Sequence, residues 1–469
     1  VAAHAHLSTT VQTPVAGASS SGPESQTGRP RRTRQLLLAG AIVLLALLLR
    51  VTFVETTSFK SIDDAGTYNR LGAQIAQLGD YKPSTGFDSG AGGTHGPTAY
   101  FPPAYPYFVA LVDIVDGHRT GGKTALLGIR LGGAVLGTIA VGLLGLAALE
   151  AFGAATALAA MALAAVYPVN ISLAGTLVAE NLLVVFMLAS VWTALRARRS
   201  PHPMAWIVVT GVLAGLATLS HENAAIFVIP LAIAAASAGK PRWRSRVLGA
   251  LTLLVATAAM IAPWTIRNAV ELHHFIPVAD ETGITVRGTY NEASASDQRL
   301  PYKWRFYWSI PQDAGVKHRA FHEKEVPLSG QLESRALHYI GRHPSAPLAV
   351  AWSNLRRMFE LRGSYAWHQS AHAIGLHESD AQVGVIAFWV LCALAIAGPF
   401  TQAARRAPTW LWTLPILYAL TIVFVNVETP RFREPIDAFL LLLAACAVST
   451  AAGYVRSRIR FIASSPATL

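Results

Sequence analysis

Long apolar runs alternate with polar connections along this chain. The runs fall at 36–54, 124–148, 152–169, 178–196, 205–220, 223–239, 247–266, 381–400, 409–427 and 434–455. About 20 apolar residues cross a hydrocarbon core as a helix, and a helix satisfies its own backbone in lipid. The pattern therefore predicts an all-α polytopic membrane protein with about ten transmembrane helices. Two polar stretches, 55–123 and 267–380, interrupt it. In the first, 64–76 predicts a helix whose Tyr68, Leu71 and Ile75 recur at three- and four-residue spacing, a stripe suited to lying along the membrane surface. In the second, 331–342 and 345–360 have amphipathic spacing, which predicts a small cap over the membrane part.

Composition supports this pattern and charge orients it. Of 469 residues, 52% are hydrophobic and 14% charged, well below the ~25% charged of soluble domains. The formal net charge of +12 sits beside the ends of the apolar runs, which argues for topology and against nucleic-acid binding. With the N-terminus inside, inner segments hold Arg29, Arg31, Arg32 and Arg34, then Arg198 and Arg199, then Lys240, Arg242, Arg244 and Arg246. Arg405, Arg406, Arg456, Arg458 and Arg460 continue the series, while the outer turns 170–177 and 221–222 carry no Lys or Arg. Both termini are thus expected in the cytoplasm and both long loops outside. The expected organisation is a disordered tail (1–34) without a signal peptide, and a membrane module (35–266) with external loop 55–123. A cap (267–380), three further spans (381–455) and a short tail (456–469) complete it. Cys392 and Cys446 lie in apolar runs and read as small buried residues.

Several polar residues then converge on the outer side. Asp63 and Asp64 follow the first span; one or both cap the helix after them, or one is a catalytic acid. The Gly/Pro/Tyr-rich segment 92–111 holds His95 and Tyr100, and Pro102 and Pro103 force a bend. Glu180 opens the fourth span, either capping or pairing with an arginine, or serving a site near the outer headgroups. His221 and Glu222 share a tight turn, read as a polar turn or as part of a site; two such groups alone are poor evidence of metal. Arg267 leaves the seventh span in PWTIRN, and Arg431 and Arg433 break the positive-inside pattern in PRFREP. A guanidinium fork suits phosphate oxygens, on a lipid-linked ligand or a headgroup; pairing with Glu428 or Glu434 is the plainer reading. The basic–aromatic run YKWRFYW (302–308) marks the second loop as unlike a membrane segment.

Taken in order, the acidic pair with its tyrosine, the Tyr/Pro segment, Glu180, PWTIRN, the RHP segment at 342–344 and RFREPI resemble the GT-C class of membrane glycosyltransferases. The nearest likeness is to the protein mannosyltransferase and aminoarabinose transferase superfamily (glycosyltransferase family 39), over about 36–455. The resemblance implies a GT-C fold with ten or eleven spans, the eleventh near 345–365, in a bacterial inner membrane. It implies an inverting transfer of sugar from a polyprenyl-phosphate donor to an envelope glycan, lipid or protein on the external face. Asp63 would be the catalytic acid residue, with Asp64 as fallback, and Arg267, Arg431 and Arg433 would hold the donor phosphate. Tyr68, His95, Tyr100, Pro102, Glu180, His221 and Glu222 would shape the sugar or acceptor pocket. The class includes members with and without a bound divalent metal. A transferase of phosphorylated head groups would need an external nucleophile and metal ligands, which the loops do not offer. A flippase of lipid-linked saccharides would place ionisable groups at the bilayer midplane; the middles of these spans are nearly free of charge, Arg130 excepted.

Overall fold

The computed structural model describes residues 28–82, 96–117, 123–238, 242–316 and 323–464, all helix, turn and coil with no strand among them. The tail before residue 28 and His95 lie outside the described residues.

Seven helices are long and apolar enough to cross a membrane: Arg32–Thr56, Leu126–Phe152, Glu180–Ala197, Pro203–Ser220, Trp243–Leu272, Glu378–Phe400 and Arg431–Ile459. An eighth crossing is a broken one, Ala154–Val166 and Pro168–Ala174, bent by 59°. The chain is a multi-pass membrane protein. The runs 223–239 and 409–427, expected as full spans, instead form shorter apolar helices, Glu222–Ala238 and Thr409–Val423. The first begins with a 3-10 turn, Glu222–Phe227, and the second stops at Val423, before Asn426 and Glu428, which line a cavity; the α-helical lengths left are too short to cross alone. The first helix starts earlier than expected, at Gly28, because the basic RPRRTR stretch continues it. No span forms near 345–365: Ala346–Met358 is a 13-residue amphipathic helix that buries Ser353, Asn354 and Arg357.

The break at Tyr167–Pro168 has a local cause and a distant partner. The residue before a proline is pushed out of the helical region, and Tyr167 is extended at φ −70°, ψ 114°. Carbonyls of the last turn are then left without helical donors. Arg50 of the first span supplies them: its Nη2 donates to the Ala164 carbonyl at 3.2 Å and its Nη1 to that of Ala165 at 3.4 Å. Arg50 is fully buried, so Arg130 is not the sole charge inside the spans. Arg130 itself donates to the Gly175 carbonyl at 2.8 Å and to the backbone and hydroxyl of Thr57, tying the first span to the turn after the broken one.

The polar segments pack as one layer over one end of the bundle. Helix Asp63–Leu78 lies on Ala104–Val115, and a Cβ at Gly72 would come within 2.3 Å of Val109, so only glycine permits that approach. The stripe of Tyr68, Leu71 and Ile75 is buried in this contact and does not lie on the membrane surface. In the second segment, helix Thr282–Thr289 crosses Glu325–Arg342 at Gly283, where a Cβ would meet the Ser329 carbonyl at 2.0 Å. Buried Asp313 holds this layer together by accepting from Arg287 Nε at 2.7 Å and Arg335 Nη1 at 2.5 Å.

Candidate active site

Where the loop layer meets the bundle it leaves a cavity of about 480 Å³. Asp63 and Asp64 enter it from the first loop, His221 and Glu222 from a turn between two bundle helices, and Tyr100 from the Tyr/Pro segment. Glu281 and Lys303–Phe306 enter from the second loop, and Glu428, Arg431 and Phe432 from the turn before the last span.

The two aspartates have different surroundings, and neither caps the helix. Ile62 occupies the cap position and no side chain satisfies the first amides. Asp63 sits at φ +47°, a left-handed conformation that costs an ordinary residue energy and is found most often where function or a tight turn demands it. Its carboxylate forms no hydrogen bond or ion pair among the described residues. Burial raises its pKa above the usual aspartate range; the charges of Asp64 and Glu428 raise it further, and Arg431 and His372 oppose them. Asp64, by contrast, accepts from Arg431 Nη1 at 2.7 Å.

Arg431 is the hub of the acidic wall. Besides Asp64, it faces Glu428 at 3.7 Å and Glu180 at 3.9 Å. Glu180, the first residue of its helix and 2% exposed, also lies 3.9 Å from His221 Nε2. The His221 ring meets the Phe432 ring edge-on at 5.8 Å. Glu180 thus reaches the site through Arg431 and His221 without lining the cavity.

The remaining expected residues divide. Tyr100 lines the cavity, while Tyr68 stands behind it, packed against Phe101 and Tyr105 at 4.7 and 4.9 Å between ring centroids. Pro102 is buried where the chain turns into helix Ala104–Val115. Arg267 is a clamp away from the cavity. It donates to the Thr98 carbonyl at 2.6 Å and the Tyr81 carbonyl at 2.9 Å, and stacks over Trp264 at 4.8 Å. Asn268 and Trp264 of the same PWTIRN motif donate to the Ile276 and Val278 carbonyls, so the motif folds the following loop back onto its span. Arg433 also faces away. It donates to Glu360 at 2.7 Å, Asp437 at 3.1 Å and the Met358 carbonyl at 3.0 Å. Its charge has two buried carboxylates as partners, and it does not line the cavity.

Sequence reading passed over Glu281, Lys303, Arg305 and Glu428 as site residues. Glu281 is held well above the usual carboxylate range by burial, then by the charges of Glu222 and Asp64. Lys303 and Arg305 belong to YKWRFYW, whose period-two alternation was the available signal. No group of three His, Cys, Asp or Glu side chains among the described residues is arranged to hold a metal ion.

An all-helical membrane body with a polar cavity under a layer of loop helices has the architecture of the GT-C class, the class to which the fold belongs. Residues 101–266 match the family described as dolichyl-phosphate-mannose-protein mannosyltransferase. The chain is similar to the archaeal oligosaccharyltransferase AglB from Archaeoglobus fulgidus, solved with an inhibitory peptide and a dolichol-phosphate. That likeness has TM-score 0.53 and 15% identity over 94% of this chain and 53% of that one. The Archaeoglobus fulgidus oligosaccharyltransferase solved with Zn and sulfate gives TM-score 0.51 and 16% identity over 90% and 50%. ArnT from Cupriavidus metallidurans, bound to undecaprenyl phosphate, gives TM-score 0.39 and 16% identity over 91% and 79%. The chain spans about half the length of the archaeal enzymes it matches. No curated protein matches it.

Proposed function

We propose that this chain transfers a sugar from a polyprenyl-phosphate donor to an acceptor hydroxyl, with inversion, at the external face of a bacterial inner membrane. The observation that carries the proposal is the state of Asp63, an unpaired carboxylate facing a cavity where the neighbouring Asp64 is already held by Arg431. A general base needs a free oxygen aimed at the substrate and a pKa moved toward the working pH, and burial moves Asp63 in that direction.

In this reading the Asp63 carboxylate accepts the proton of the acceptor hydroxyl. The acceptor oxygen attacks the anomeric carbon, and the bond from that carbon to the phosphate oxygen breaks. The polyprenyl phosphate departs with the bonding electron pair and one further negative charge. A single displacement inverts the anomeric centre. Arg431 positions Asp64 and limits the repulsion between the carboxylates, because three of them share its charge. Tyr100 supplies an aromatic wall, and Arg267 anchors the segment that carries it.

The test is turnover by purified protein in nanodiscs against a panel of polyprenyl-phosphate sugars and acceptors, read as release of polyprenyl phosphate. Release that requires an acceptor and disappears in Asp63→Asn is expected. Full turnover in that variant would remove Asp63 from the mechanism. Donor binding without chemistry for any acceptor would favour a transporter of lipid-linked saccharides.

A further inference from the structure

The donor in that reading is an amphiphile, with an anionic phosphate joined to an isoprenoid. The cavity's charges do not treat all its cations alike. Arg431 is surrounded by Asp64, Glu180 and Glu428. A phosphate placed there would face three carboxylates, and like-charge repulsion would offset what the guanidinium offers. Lys303 lies in another segment of the wall, and its ammonium has no hydrogen bond or ion pair among the described residues. Two residues on, Arg305 spends its tip on Asp297, yet its Nε is buried with no hydrogen-bond partner. A lining cation without a counter-ion is an incomplete site. An anion completes it, since an ammonium half withdrawn from water keeps its charge best beside one.

Aromatic and aliphatic side chains flank these two residues on one side of the cavity. Phe306 stacks on Trp308 at 4.3 Å between ring centroids and 10° between planes, and Trp304 meets Phe306 edge-on at 4.6 Å. Ile422, Val425 and Val427, from the end of a bundle helix, line the same cavity. A cationic edge beside an aromatic and aliphatic wall fits a phosphate with a hydrocarbon tail better than a free inorganic anion, for which the apolar wall has no use.

Resting on the donor class proposed above, we infer that Lys303 with Arg305 is the docking point of the polyprenyl phosphate, and that the Trp304–Phe306 aromatic pair receives its first isoprene units. Arg431 is then a positioning residue for Asp64 and does not hold the phosphate. YKWRFYW thereby acquires a role that the loop's composition alone did not assign.

Binding of farnesyl phosphate, with farnesol as the neutral probe, separates the possibilities in nanodiscs of zwitterionic lipid. Lys303→Glu should weaken farnesyl phosphate binding by about tenfold or more, the effect of losing a charge-assisted contact. Farnesol binding should be unchanged, and Lys303→Arg should restore the phosphate affinity. An unaltered thermal unfolding profile checks that the variant folds. Wild-type affinity in Lys303→Glu would overturn this inference and leave the donor reading standing. Wild-type protein that binds no farnesyl phosphate would overturn the donor reading and this inference together. Equal displacement of the probe by inorganic phosphate or phosphatidylglycerol would overturn the assignment to a polyprenyl phosphate.

Discussion

Arg431 and Arg433 stand two residues apart on one turn, and their surroundings are opposite. Arg433 closes a knot of four elements. It joins Glu360 after one loop helix, Asp437 of the last span and Phe388 of another span, while Tyr167 at the broken crossing donates to Asp437 at 3.0 Å. The space beside it is about 20 Å³, room for no more than a water. Arg431 opens on a cavity of about 480 Å³, makes one short ion pair, and leaves its buried Nε without a hydrogen bond. One arginine completes a core, and the other belongs to a site whose hydrogen bonds are unfinished. The difference is the same seen between Asp64, which is paired, and Asp63, which is not. Under the proposed function, incomplete pairing beside empty volume, more than the presence of charge, separates working residues from structural ones.

The comparison can be broken by mutation. The largest expected effect is on activity: Asp63→Asn should lower turnover by about 10²–10⁴-fold, the usual contribution of a positioned base, with thermal stability unchanged or raised. An equal fall in stability would mean that Asp63 is a folding residue. Arg433→Met should next cost about 3–5 kcal/mol of stability, because it strands two buried carboxylates. Thermal unfolding in detergent measures this; a melting temperature like that of the wild type would dissolve the distinction between the two arginines. Arg431→Gln should lose activity with a smaller loss of stability. Asp64 is 34% exposed at its side chain and can turn to water in the cavity, whereas Asp437 is fully buried.

A smaller change is expected from the clamp. Arg267→Gln removes donors to two carbonyls and should cost about 1.5–3 kcal/mol locally, seen as faster amide exchange across 98–101. The pH profile sharpens the contrast last. The base works deprotonated, so activity should fall as pH drops through the Asp63 pKa, and this limb should lie above the ordinary aspartate value of about 3.9. Glu428→Gln should move the limb to lower pH, because the Glu428 charge is one of the groups that raise it. A limb that stays in place would indicate that another group controls the rate.

Part of the protein can be read directly along the chain. Apolar runs of membrane length specify helices because lipid leaves the backbone no other partner. The helix after Asp63 and those after 325 and 346 announce themselves by period. The order of short motifs around those runs is enough to point to the GT-C class. Which side chains share a cavity is a different matter, since it depends on contacts across hundreds of residues. Asp64 meets Arg431 from 367 positions away, and Glu325 receives Thr98 from 227. Arg267, Arg431 and Arg433 look alike as basic residues at one membrane face, yet one is a clamp, one a hub and one a core pair. Arg50 has one backbone carbonyl, that of Ala46, in its own helix and finds its other acceptors at carbonyls exposed by a proline break in another segment. Period and composition act locally and so determined the helices. Pairing, and the unpaired state of Asp63 and Lys303, arises only when distant segments are packed together, and tertiary structure alone decided it.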